Sequence, residues 1–512
     1  MKCMVFAVLA AGSTWFAAPA AEKTGKRPKA PSIRPSAVAG QFYPGDAAKL
    51  RGAVEGFMAD AVRPRGVKPV AIIVPHAGWA YSGQIAADAF KQAAGFHYDL
   101  IVVLGTNHHA YPFRGLSVYP GAGYKTPLGV VPLDRQFTKA LFASDKAVTF
   151  KGGVHEKEHS IEVELPFIQF LFPGVKVVAA VVGSSDPATA EHLGRVLARL
   201  LKGRNALIVA SSDLSHYPRY SDAVAVDHKT LTAVASLDAE VFSRTIARQL
   251  EEGRRGLVTC ACGAGPIMVA MTAARELGAG RATVLAYANS GDTVPGNPDR
   301  VVGYGAVEFT RESGEPDLRV LESHSFPPVA NLTASDRSYL LELARKTIVR
   351  YLSTGTFPLP LKTTPGLAQK RGAFVTLQEG GELRGCIGRM VGDAPLSLTV
   401  ARMAIAAALN DKRFRPVRLE EMKSIRIEIS VLTPFSRVKG PGAIRIGTDG
   451  VLLRKGGQGA VYLPQVAPEA GWSVEEMLDH LCRKAGLDSS CWRSGVDLYT
   501  FQAEVFSEKK KR

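Results

Sequence analysis

Asp99-Leu100-Ile101-Val102-Val103-Leu104-Gly105-Thr106-Asn107-His108-His109 is the stretch around which the rest of the chain is read. Leu100 to Leu104 is an unbroken apolar run, which predicts a strand buried on both faces. Gly105 interrupts it, and two imidazoles follow where the chain leaves the sheet. The layout recurs. Val70 to Val74 runs into Pro75-His76-Ala77-Gly78-Trp79, and Ala206 to Ala210 runs into Ser211-Ser212-Asp213-Leu214-Ser215-His216. In open α/β sheets, ligands bind in the crevice at the carboxyl ends of the strands. One histidine after a strand is most often a hydrogen-bonded loop residue. Three strands delivering histidine to one edge form a site pattern.

A thiol joins them. Thr259-Cys260-Ala261-Cys262-Gly263-Ala264-Gly265-Pro266 leads into the helix-like run Ile267 to Leu277. A cysteine at a helix N-terminus has its thiolate favoured by the dipole. Two neutral imidazoles and one thiolate make a half-filled metal shell, with positions left for water or substrate.

Six motifs then come in an order that resembles the Memo family. They are Ala39-Gly40-Gln41-Phe42-Tyr43-Pro44, Pro75-His76-Ala77-Gly78-Trp79, Gly105-Thr106-Asn107-His108-His109, Glu158-His159-Ser160-Ile161-Glu162, Ser212-Asp213-Leu214-Ser215-His216 and the Cys262-Gly263 segment. The resemblance implies a class III extradiol dioxygenase-like fold and an iron or copper held by His76, His108 and Cys262. It also implies a vestibule lined by Phe42, Tyr81, Asp213 and His216, with Trp79 and His109 as further walls that a small molecule or peptide would touch. Phe42 stands where animal members have Trp, and Cys260 adds a second thiol beside the ligand.

At 512 residues, a prior of ~100–200 residues per domain gives two to four domains. The net charge is +16, but half of it sits in tails. Lys23, Lys26, Arg27, Lys29 and Arg34 less Glu22 give +4, and Lys509 to Arg512 give another +4. No nucleic-acid motif accompanies that charge, which argues against a nucleic-acid partner. Lys2, the apolar or small residues Met4 to Ala18 and the small-residue sites around Ala18-Pro19-Ala20 read as a secretory signal over 1–21. The stretch is too short for a membrane span. Export would place the protein in a secreted or periplasmic space, where a Cys482–Cys491 bridge is feasible but not fixed by the sequence. A basic, Pro-rich linker follows over 22–36.

From 37 to 310, strand and helix alternate, which predicts an α/β sheet with covered faces. Ser82 is expected to cap a helix carrying Ile85, Ala86, Ala89 and Phe90 on one face. Glu158-His159-Ser160-Ile161-Glu162 reads equally as a cluster that supports the metal ligands or does acid–base work, or as a charged helix start. Residues 311–330, ending in Phe326-Pro327-Pro328, predict a second linker. Over 331–507 the pattern becomes α+β, followed by a basic tail at 508–512. Helices are expected from Ser335 to about Tyr351 and over Leu396 to Leu409. Strands are expected at Ala373–Leu377, Ile425–Leu432, Val451–Leu453 and Tyr499–Val505. Lys455-Gly456-Gly457-Gln458-Gly459 lacks a phosphate-loop ending and reads as a hairpin turn.

Leu383-Arg384-Gly385-Cys386-Ile387-Gly388, with Asn410-Asp411-Lys412-Arg413-Phe414 and Ile429 to Pro434, resembles the AMMECR domain family. Cys386 reads either as a reactive thiol whose pKa Arg384 depresses or, preferably, as part of a tight strand–turn. The two resemblances on one chain match the AmmeMemoRadiSam system, which implies a radical-SAM partner. Such a partner needs reducing surroundings and conflicts with export. Two functions follow. One is a mononuclear metal oxidoreductase, with His216 or His159 moving a proton beside Asp213. The other is a binding or scaffold module whose metal pocket captures an anionic or phenolic group without turnover. Zinc suits the same ligands.

Overall fold

The computed structural model describes residues 32–110, 113–293, 297, 299–322, 332–359, 364–390, 392, 394–433, 435–456 and 458–509. The signal segment 1–21 lies outside them. Among the described residues no helix is long and apolar enough to cross a membrane.

The first unit is an α/β sheet. Strands Pro69–Val74, Ala206–Ser211, Leu100–Thr106 and Lys176–Val182 lie side by side in that order, all parallel. The hairpin Arg281–Asn289/Gly303–Thr310 extends one edge antiparallel, and the short strands Leu116–Val118 and Val148–Thr149 extend the other. Alternation along a strand sends successive side chains to opposite faces. Val102 and Leu104 accordingly join the core under helices Pro187–Leu201 and Ala264–Glu276, while Ile101 and Val103 join the core under Ala47–Asp60 and Trp79–Ala93. Both faces are covered, which is why the central strands carry no alternation in sequence.

Three expectations in this unit are corrected. The second helix starts at Trp79 with Gly78 as its cap, and Ser82 lies inside it, donating to the Ala77 carbonyl at 2.9 Å. The 22–36 linker stops short of its expected end. Ile33–Arg34 is a strand paired with Gly123–Thr126, and Arg34 is buried because Glu162 and the carbonyls of His155 and Glu158 take its guanidinium. The linker expected over 311–330 is also shortened. Asp317 exchanges hydrogen bonds with Ala282 and Val284, so 313–317 covers the open edge of the Arg281–Asn289 strand before the short helix Arg319–Glu322. Residues 323–331 lie outside the described residues.

The second unit is α+β. Strand Ala373–Glu379 pairs with Glu382–Arg389 and Arg426–Leu432, and Ala503–Ser507 closes that sheet. Helices Ala334–Thr354 and Leu396–Leu409 pack on it, the first capped by Thr333 rather than Ser335 through a reciprocal box with Asp336. The single strand expected at Tyr499–Val505 is two. It breaks at Gln502, whose N–H goes to Thr433 Oγ1, and Asp497–Phe501 joins a second sheet with Ser436–Val438, Gly450–Lys455 and Gln458–Tyr462. Lys455 pairs with Gln458 as the expected hairpin requires, with Gly456 in the left-handed region. Cys482 and Cys491 are bonded to each other.

The two units meet where helix Ala47–Asp60 packs on Ala334–Thr354. Asp60 accepts from Arg350 at 2.7 Å and from Lys346, and Arg402 donates to the Gly291 carbonyl at 2.7 Å. Arg350 is buried, so removing its carboxylate leaves an uncompensated charge. Asp60→Ala is expected to destabilise the protein by about 3 kcal/mol, read by denaturant titration; an unchanged midpoint would contradict the seam.

Asp88, on helix Trp79–Ala93, is buried against the Val62 N–H, and burial pushes its carboxyl up to about 7. An acid raised in the folded state contributes stability below the ordinary carboxylate range, and that contribution is lost as pH rises toward 7. Asp88→Asn is therefore expected to raise the thermal midpoint more at pH 8 than at pH 5. An equal change at both values would contradict the buried acid.

Candidate metal centre

Parallel register sets the site. Val74 pairs with Ser211, and Leu104 pairs with Ala210, so the three chains leave the sheet at one rim. His76, Asp213 and His108 follow within two or four residues of those ends. Cys262 arrives just before helix Ala264–Glu276, which packs under the same strands. Its approach depends on glycine. A Cβ at Gly263 would stand 2.5 Å from Ser212, and one at Gly265 would stand 2.4 Å from the Ser184 carbonyl.

The nitrogens of His76 and His108 and the sulfur of Cys262 lie within 4.8 Å of one another. Cys262 Sγ is 3.1 Å from His76 Nε2. His76 Nδ1 meets Ser211 Oγ at 2.9 Å, and His108 Nδ1 meets Glu158 Oε1 at 2.9 Å. Each imidazole thus has its Nδ1 engaged and its Nε2 left for an ion, the arrangement that orients histidine ligands in metal sites. Burial lowers His76 to about 3, which keeps its ring neutral and able to donate a lone pair. Burial, with Asp213 adding to it, pushes the Cys262 thiol up. That reverses the expected effect of the helix N-terminus. A cation among these three atoms would supply the missing compensation and deprotonate the thiol. The donor set therefore fits one soft or borderline transition metal.

Behind the three ligands lies a layer of buried carboxylates. Glu158 accepts from His108 N, His108 Nδ1 and Ser160 N. Burial pushes this carboxyl up, but the His108 and Ser160 bonds outweigh it and hold Glu158 below the usual range. Glu162 takes Arg34, the Tyr43 hydroxyl and the Ala37 and Val38 amides. Glu164 accepts from Ser211 Oγ at 3.0 Å and is driven well up by burial. Asp213 Oδ1 accepts the His76 and Ala77 amides at 2.8 and 3.1 Å. Asp213, His216 and Cys262 form a second convergent group within 4.8 Å, and His216 Nε2 has no hydrogen-bond partner among the described residues.

A family model of Memo-like proteins matches residues 34–308. The chain belongs to the Memo-like protein family. Residues 341–506 match the AMMECR1 domain. A MEMO1 family protein of Pyrobaculum aerophilum is 33% identical over 290 residues, covering 54% of this chain and 99% of that protein. One from Methanosarcina mazei is 35% identical over 279 residues, covering 54% and 98%. Among solved structures, an uncharacterized protein of Pyrococcus horikoshii shares 42% identity over 33% of this chain and 90% of its own, with a TM-score of 0.31. An uncharacterized Escherichia coli protein shares 15% identity, covering 46% and 98%, with a TM-score of 0.33.

Within this Memo-like domain the expected vestibule residues separate into two groups. His159 stacks on His108 with ring centroids 4.6 Å apart, and Phe42 lies 4.7 Å from His159. His109 is exposed, 6.0 Å from His159. These rings gather around His159. Trp79 does not: it is 3% exposed and packs on Phe57 and Phe167 with its N–H on the Val163 carbonyl. Its large apolar ring is worth more in the core than at a wet rim. Tyr81 lines a narrow crevice with Trp79 and Phe357 at the seam between the units. Cys260 is buried toward the Ile246 carbonyl.

In the AMMECR1 domain Arg384 does not serve Cys386. Its guanidinium is taken by Glu421 at 2.8 Å and by the Arg415 carbonyl. Cys386 instead receives the Thr376 hydroxyl at 3.2 Å, and its N–H and carbonyl are bound by Asp411 and Arg413. Gly385 lies against the Ala407 carbonyl, where a Cβ would come within 2.3 Å. The motif is thus a tight strand packed on a helix.

Sequence reasoning missed Ser211 and Glu164 as supports of His76. The signal was present in Glu162 and Glu164 within the otherwise apolar run Ile161 to Ile168, since carboxylates there must be buried and bonded. Glu158→Gln is expected to weaken metal binding ten- to a hundredfold, the cost of losing such a support, without unfolding the domain. Competition with a chromogenic chelator reads this, and an unchanged affinity would contradict the role.

Proposed function

We propose that this protein is a Memo-like/AMMECR1 fusion whose first domain holds one transition metal, iron or copper, through His76, His108 and Cys262. The observation that supports it is the convergence of two engaged imidazoles and a buried thiol at one sheet rim. An iron or copper there would supply redox and Lewis-acid chemistry for a small substrate in the vestibule. The chain's own residues then have distinct tasks. His216 carries or accepts a proton at its unpaired Nε2, and His159, with its ring 5.4 Å from that of His76, is the second candidate. Asp213 holds the His76 turn through its two amides. Phe42 and His109 shape the opening and limit water.

A thiolate in place of a carboxylate as third ligand is more donating and more oxidisable, so ring cleavage of catechols is not assigned. The proposed reaction class is a metal-dependent oxidoreduction. The Cys482–Cys491 bond supports export to an oxidising compartment, where copper or zinc is the more durable occupant.

Protein purified anaerobically is expected to hold close to one metal per chain by elemental analysis. His76→Ala, His108→Ala and Cys262→Ser should each remove most of it while circular dichroism stays native. Full occupancy in all three variants would sink the assignment. Oxygen uptake with catechols reads ring cleavage alone: none is expected, and uptake by the loaded protein would show turnover of that class.

A further inference from the structure

The loops beside His216 hold a feature that the metal ligands do not explain. Tyr217 has φ 72, a left-handed backbone that a bulky residue rarely adopts. Its N–H goes to the Val301 carbonyl at 2.6 Å, and the His216 carbonyl takes the Val258 N–H at 3.0 Å. Gly256, itself at φ 83, passes so close that a Cβ would stand 2.6 Å from the Tyr217 carbonyl. Three segments are thereby locked around one ring. That ring lies 5.3 Å from the His216 ring on one side and 3.7 Å under the Arg300 guanidinium on the other.

Next to it opens a cavity of about 400 Å³ lined by Tyr217, Arg219, Arg255, Val258, Asp299 and Arg300. Three guanidiniums face a single carboxylate. The neighbouring Arg254 is neutralised by Glu252 and Asp222, whereas Arg219, Arg255 and Arg300 form no ion pair among the described residues. Helix Tyr220–Ala235 begins at Arg219 with no side-chain cap, so its first amides add positive potential. Val258, 65% exposed, gives the cavity an apolar wall. A forked cation beside an aromatic face is suited to a carboxylate or phosphate on an apolar body.

We propose that this cavity is an anion-binding subsite that holds the acidic group of a small aromatic or apolar compound. Resting on the metal-centre reading above, its consequence is proximity. With the acid on Arg219 and Arg300 and the body against Val258, the molecule sits beside the Tyr217 ring, whose other neighbour is His216, and His216 lies within 4.8 Å of Cys262 and Asp213 by ligand atoms. The substrate class is then an anion with an apolar or aromatic body.

The test is calorimetric titration of the full-length chain at low salt with benzoate, inorganic phosphate and neutral benzamide. Benzoate is expected to bind saturably at one site and benzamide not to bind. Phosphate binding with no benzoate binding would place the anion but overturn the apolar body. Arg219→Ala/Arg300→Ala should weaken benzoate at least tenfold, while Arg195→Ala/Arg244→Ala, an equal loss of charge elsewhere, should not. Tyr217→Asn accepts the left-handed backbone and should keep the fold while weakening benzoate more than phosphate. Failure of both anions to bind, or equal binding in the Arg219/Arg300 variant, overturns the subsite. Metal content measured on the same samples keeps the two readings apart. Wild-type protein that lacks metal yet binds benzoate through these arginines counts against the metal centre and supports the subsite.

Discussion

Parallel, in-register pairing of Pro69–Val74, Ala206–Ser211 and Leu100–Thr106 is the constraint on which the rest depends. Once three neighbouring strands run the same way, their carboxyl ends share one rim, and whatever follows each strand is brought together there. His76, His108 and Asp213 are separated by up to 137 positions in the chain, yet need no long loops to meet. The helices that make parallel pairing feasible also bury both faces, so the rim is the sheet's main polar outlet.

Bringing those groups together buries charge, and the second layer answers it. Glu158 and Glu162 are almost fully buried, but each accepts several hydrogen bonds, and Glu162 is also matched by Arg34. The N-terminal segment is tied down by that pairing, and Phe42 lies against His159. Glu164 and the Cys262 thiol are compensated less fully, and both are pushed toward their neutral forms by burial. A cation at the centre would discharge the second of these directly, which is the physical argument for the proposed metal.

Much of this was legible in the sequence because it rests on local rules. Continuous apolar runs leading into histidine gave three of the four central strands, and Leu396 to Leu409 matched its helix to the residue. The failures have physical causes. Ser82 resembles a cap, but the helix needs its start at Trp79 to lay that ring on Phe57 and Phe167. Arg34 looked like linker charge because only the fold supplies Glu162. Arg384 is near Cys386 in sequence, but Glu421 and the Arg415 carbonyl hold its guanidinium elsewhere. Tyr217 could not be singled out at all, since its backbone conformation is imposed by two distant loops.

The most direct measurement is extended X-ray absorption fine structure at the edge of the metal that co-purifies with the full-length chain. The expected coordination is one sulfur at about 2.3 Å and two imidazole nitrogens at about 2.0–2.1 Å, with lighter atoms in the remaining positions. Coordination by oxygen and nitrogen alone, with no sulfur, would contradict a centre built on His76, His108 and Cys262.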